Sequence, residues 1–165
     1  MAEWMKMVAA ACAIGAGATV LMDAWSWLLR RLGVPTLDYA LLGRWVGHGL
    51  RGQWMHASIR QAAPVTGERA WGWLWHYLTG LAFALVFVTL VGAAWLAAPV
   101  WSPALAFGAV TVLLPWLILQ PALGAGLASA KTPQPWRSRA AGLATHLVFG
   151  AGLYVTALVL ADWPI

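Results

Sequence analysis

The 165-residue sequence has little that is charged and almost nothing that could cross-link it. Only 9% of its residues are Asp, Glu, Lys or Arg, and a single cysteine, Cys12, lies within an apolar stretch. One cysteine excludes an intrachain disulfide and a thiolate metal cluster. The sequence contains no CxxCH, HxxxH, HExxH or GxSxG spacing. Covalent haem attachment, helical zinc-protease chemistry and a hydrolase nucleophile elbow therefore have no motif to rest on. Ser58, two residues after His56, has no such elbow around it, so no catalytic set is legible.

What the chain has in quantity is apolar residues, 62% of the total, with thirteen tryptophans and a mean hydropathy of +0.73. Charges are clumped between apolar stretches of the length that a hydrocarbon core requires, about 20 residues of helix. The expected fold is all-α: an integral membrane four-helix bundle occupying residues 1–165 as one membrane domain. Its spans are expected at about 7–29, 70–96, 103–128 and 140–160. The first is read as a retained span rather than a cleaved leader, because Glu3 does not suit a basic leader.

Orientation follows from lysine and arginine. Nine of the ten basic residues lie in the connections after the first and third spans, 30–69 and 129–139, against Lys6 on the other side. By the positive-inside bias these connections are cytoplasmic and both termini periplasmic. The same distribution explains the high pI without a nucleic-acid partner. Trp71, Trp73, Trp75, Trp95, Trp101, Trp136 and Trp163 fall near span ends and read mostly as an interfacial girdle.

The first connection is too long for a turn. Thr36 is expected to cap a short amphipathic helix, with Leu41, Leu42, Trp45 and Val46 on one face and Arg44, His48 and Arg51 on the other. It is expected to lie on the inner leaflet. There Arg44, His48, Arg51 and Arg60 would contact anionic lipid headgroups or form a lid over a site opening to the cytoplasm.

Candidate function lies in the polar residues inside the spans, which are costly in hydrocarbon and normally face a partner. Asp23 is seven residues before Arg30, His76 seven after Arg69, and His146 seven after Arg139. Each is thus about 10 Å along its helix from an arginine. Gln120, followed by Pro121, adds a group from the third span, so all four helices contribute to one layer. Gly15, Thr19, Gly80, Gly124, Gly142 and Gly150 give these positions small flanks that allow close approach.

Several functions fit this layer. Asp23, His76 and His146 could ligate a transition metal, completed by His48 or His56. His76 and His146 could be axial ligands of a b-type haem. Asp23 and a histidine could exchange protons in a small-molecule transporter, which four short spans would form only as a homo-oligomer. Asp23 could instead pair with a histidine in a purely structural network, in a scaffold or assembly factor.

Met22-Asp23, Gly43-Arg44-Trp45, the run Arg51 to Ile59, Pro64 to Gly80 with Glu68 and His76-Tyr77, Gln120-Pro121 with Gly124 and Gly126, and His146 to Tyr154 together carry a resemblance. The chain resembles the bacterial domain of unknown function 2938 family of short inner-membrane proteins. That resemblance implies a bacterial inner-membrane protein with four spans, and it brings no functional residues with it.

Overall fold

The computed structural model describes residues 1–161; Trp163 lies outside them. The element order is α1 (Ala2–Arg31), α2 (Tyr39–Gly49), α3 (Glu68–Ala97), α4 (Trp101–Thr111), a π-helical stretch (Pro115–Leu119), the single turn α5 (Gln120–Ala122) and α6 (Pro135–Ala161). Short 3₁₀ turns at Ile59–Gln61 and Leu127–Ser129 lie in the two long connections. Among the described residues four helices are long and apolar enough to cross a membrane: Glu3–Arg31, Glu68–Ala97, Trp101–Ala122 and Pro135–Ala161. Their lipid-length apolar surfaces make this a multi-pass membrane protein with an all-α fold.

The third span ends at Ala122 rather than near 128. Pro121 has no N–H to return to the carbonyl of Leu117, and the preceding backbone has already widened into the π-helical stretch. Gly124 and Gly126 then take φ of 92° and 75°, a left-handed geometry that ends the helix. The freed end is held from below: the amide of His56 donates to the carbonyl of Ala122 at 2.9 Å and that of Ile59 to Leu123 at 3.1 Å.

Packing follows glycine. α1 lies between α3 and α6, and α6 lies between α1 and α4. A Cβ on Gly15 would sit 2.8 Å from Ala84 of α3, one on Gly152 2.7 Å from Ala18 of α1, and one on Gly108 2.7 Å from Gly150 of α6. Helices in lipid gain little from the hydrophobic effect and associate through such close backbone contact. The core at these crossings includes Ile14, Ala18, Ala84, Phe87, Phe149 and Leu153.

α3 and the third span are adjacent in sequence but touch little. They meet away from the arginine-rich end, where Phe107 packs against Phe83 and Phe87 at ring separations of 6.3 and 5.2 Å. Trp95, expected in the girdle, is instead buried there against Phe87, 4.8 Å between centroids, and donates Nε1–H to the carbonyl of Val100. Trp71, Trp73, Trp75, Trp101 and Trp136 are exposed.

α2 forms within the expected segment, but its cap is Asp38, whose carboxylate accepts from the amide of Ala40 at 3.0 Å. Asp38 stands immediately before the first helical residue, where a side-chain oxygen reaches the free N–H groups. Thr36 instead accepts from Arg30 at 3.1 Å. α2 packs across the start of α3, with Gly43 against the backbone of Glu68 and Gly72 against the carbonyl of Tyr39.

An Arg44–Glu68 fork reinforces that crossing. Two guanidinium nitrogens of Arg44 donate to the two carboxylate oxygens of Glu68, each at 2.8 Å. A third contacts the carbonyls of Ile59 and Ala62. Glu68 also accepts from the amide of Val65 at 3.0 Å. Replacing Glu68 by alanine is expected to lower stability by about 2 kcal/mol, since charge-assisted bonds are lost and Arg44 is left without its counter-charge. Thermal unfolding in detergent measures this, with Glu68→Gln falling between the two.

Candidate functional site

The polar layer divides between two walls. On one wall, Asp23 of α1, His76 of α3 and Tyr39 of α2 form a triangle. Tyr39 donates its hydroxyl to Asp23 Oδ1 at 3.0 Å, and His76 Nε2 lies 3.0 Å from both the tyrosine oxygen and that same carboxylate oxygen. Tyr77 donates to Asp23 Oδ2 at 3.1 Å. With the Tyr39 hydrogen directed at Asp23, His76 Nε2 must carry a hydrogen, because two lone pairs at 3.0 Å would repel. Asp23 is therefore an acceptor for three donors.

Aromatic rings close over this cluster. The Tyr39 ring stacks on His76 at 4.1 Å, and Trp73 packs edge-on to both. Burial, and then the neighbouring Asp23 carboxylate, push the Tyr39 phenol well above its ordinary range. Tyr39 consequently stays a donor at physiological pH. Through it, α2 is latched to both α1 and α3.

On the other wall, His146 of α6 faces α4. Its Nδ1 is 2.9 Å from Thr111 Oγ1, and Thr111 donates to the carbonyl of Gly108 at 2.6 Å. Gln120 accepts from Ser129 Oγ at 3.0 Å through Oε1. That contact depends on the connection after the third span folding back, where Ser129 has a φ of 62° and Arg139 donates to the carbonyl of Ala128 at 2.7 Å.

Between the walls lies a cavity of about 630 Å³. It fills the space where α3 and the third span diverge, and α1, α2 and α6 complete it. Its lining is mostly apolar, including Phe83, Phe149, Trp45 and Trp116, with His76, Gln120 and His146 among the polar members. Trp75, Leu114 and Ile118 both line the cavity and are exposed, so it reaches the outer surface between α3 and the third span. At the arginine-rich end it is covered by α2 and the segment around Ile59.

The expected metal set does not assemble. Among the described residues no three of His, Cys, Asp and Glu gather where they could hold one ion. Asp23 and His76 are turned to Tyr39 and Tyr77, while His146 is turned to Thr111. Nor do His48 and His56 complete a set. Their rings meet edge to face at 5.1 Å in the first connection, where His48 is bonded to Gln53 and to the carbonyl of Ala63. The buried His56 ring has no hydrogen-bond partner on either nitrogen. Of the four residues considered for lipid phosphate or a lid, Arg44 and His48 are tied into the connection's own fold, and Arg51 and Arg60 are exposed.

Tyr39, Thr111 and Ser129 were not singled out from the sequence, although each positions one of the residues that were. Tyr39 carried a faint signal, an aromatic hydroxyl at the start of the amphipathic segment. Thr111 and Ser129 carried none, because their roles depend on the crossing of α4 with α6 and on the left-handed turn.

Residues 12–160 match the family model described as "Protein of unknown function (DUF2938)". The chain belongs to this family. The match reaches into all four spans and includes both polar walls. Comparison with curated proteins and with solved structures returned no match.

Proposed function

We propose that this chain is a membrane binding protein or carrier for a small amphipathic ligand, held in the cavity between α3 and the third span. The observation that supports it is the cavity itself: an apolar, ligand-sized space among the spans, with a few oriented polar groups, reaching the outer surface between two helices that diverge. His146 and Gln120 are the ligand-facing pair in this reading. Asp23 and His76, with Tyr39, hold α2 as the cover.

In this reading the positive-inside bias supports a cytoplasmic cover with both termini periplasmic, and the family resemblance supports the bacterial inner membrane. α2 then lies at the inner-leaflet interface. Arg51 and Arg60, rather than Arg44 and His48, are left to meet anionic headgroups.

The test is extraction. Protein purified in mild detergent is expected to yield to organic solvent a compound that a cavity-blocking variant, Thr145→Phe or Gly142→Leu, does not. Identical extracts from folded wild-type and blocked protein would overturn the reading. The same sample serves the rival readings. A Soret band lost in His146→Ala would replace the reading with a haem protein, and stoichiometric metal with a metal site.

The saturated Asp23 cluster favours a structural role for that wall, as a scaffold would use it. Proton-linked transport by an oligomer would require Asp23 to leave its three donors. Asp23→Asn abolishing pH-driven uptake in liposomes, in a variant that still folds, would favour transport.

A further inference from the structure

The threonines in the spans' section of the cavity have already spent their hydrogens. Thr19, Thr79 and Thr145 line it, and each hydroxyl donates to the carbonyl four residues back on its own helix, at 2.7, 2.8 and 2.7 Å. A hydroxyl has one hydrogen and two lone pairs, so these oxygens can meet a ligand only as acceptors. His146 is forced the same way. Because Thr111 has spent its hydrogen on Gly108, the 2.9 Å contact must be His146 Nδ1–H donating to Thr111, which makes Nε2 of the neutral ring an acceptor. The donors left are few and neutral: the amide nitrogen of Gln120, whose oxygen is occupied by Ser129, the buried Nε1–H of Trp116, which has no partner, and the hydroxyl of Ser26.

Charge is sparser than donors. Asp38 and Arg60 are the only charged residues among the described lining, and both are exposed at the arginine-rich end. Asp23 does not line the cavity, and its carboxylate is engaged by Tyr39, His76 and Tyr77. A carboxylate or phosphate head would need several donors, and an ammonium would need an opposite charge on leaving water. The walls between the spans hold a few neutral donors and no charged partner for either.

We infer that the ligand is an uncharged amphiphile whose head carries a hydroxyl, donating to His146 Nε2, with its apolar chain against Phe83 and Phe149. This rests on the reading of the cavity as a binding site. The Gln120 amide suits a second oxygen of the same head. The surface opening between α3 and the third span gives a route that keeps the chain in an apolar medium.

Three probes of one chain length, brominated at the tail, separate the head groups: a 1-monoacylglycerol, the free fatty acid and the primary alkylamine. Each is titrated at low mole fraction into protein in nanodiscs, and saturable quenching of tryptophan fluorescence is read, since Trp45, Trp75 and Trp116 line the cavity. The monoacylglycerol is expected to bind tightest. His146→Phe should weaken it about tenfold, the effect of one hydrogen bond, and His146→Gln, which keeps an acceptor, should retain most of the affinity. Thermal unfolding of each variant confirms that it folds.

Fatty acid or amine binding as tightly as the monoacylglycerol, or a folded His146→Phe protein binding like wild type, would overturn the inference. If Thr145→Phe abolished that binding, the cavity reading would stand without it. Saturable quenching by none of the probes would also overturn the inference. A ligand-free extract alongside would remove both.

Discussion

Replacing Asp23 by alanine is expected to cost about 3 kcal/mol or more, the largest single effect of any polar substitution in the spans. The carboxylate is the shared acceptor for Tyr39, His76 and Tyr77. Its removal takes the shared acceptor from three donors in a largely covered site, leaving only the Tyr39–His76 contact between two of them, and an unmet buried donor costs more than a bond made in water gains. Thermal unfolding in detergent measures the stability term. Limited proteolysis measures the release of α2, with faster cleavage expected between residues 34 and 66. Asp23→Asn keeps one oxygen acceptor and should fall between. Wild-type melting and wild-type resistance in Asp23→Ala would show that the cluster does not hold the cover.

Gly72→Val should produce a similar loss by a different route. α2 reaches α3 so closely that a Cβ on Gly72 would collide with the carbonyl of Tyr39, which is backbone and cannot turn aside. Overpacking of this kind costs about 1–3 kcal/mol where the neighbour can shift, and more where it cannot. The added side chain must lift the first turn of α2, taking the Tyr39 hydroxyl away from Asp23. Both substitutions thus break one latch, so the double variant Asp23→Ala/Gly72→Val should lose clearly less than the sum of the two. Full additivity, with α2 proteolysed no faster in either single variant, would mean that the glycine crossing and the polar cluster act independently.

How much of this was readable in the sequence depends on the range of the interaction. The spans follow from apolar length, a local property, and the four helices fall on the expected segments except at the third. There Pro121 and Gly124 were visible, but the length of the apolar run extended the span past them. The amphipathic segment was likewise legible, but its cap was misplaced by two residues because Thr36 and Asp38 both suit that role. Asp38 stands next to the first helical residue.

The candidate site was legible as a list of costly residues and not as a set of partnerships. Helical rise placed Asp23 and His76 at matching distances from their arginines, and they do touch. Depth alone says nothing about rotation around a helix axis. It could not tell that His146 faces Thr111 across a different crossing, so three residues that looked like one ligand set belong to two walls. Gly15 and Gly150 were seen as small flanks, but what each packs against across the helices, Ala84 for Gly15 and Gly108 for Gly150, is a tertiary fact.

The position of α6 between α1 and α4 bears on how the protein is made. Chains enter the membrane from the N-terminal end, and α3 and the third span emerge as a hairpin whose two arms barely touch. Until α6 follows, α4 lacks its main neighbour, and the glycine face around Gly108 remains turned to lipid. Assembly therefore waits for the last of the four spans, and a nascent chain arrested before residue 135 would present the membrane's quality-control proteases with an unpartnered helix.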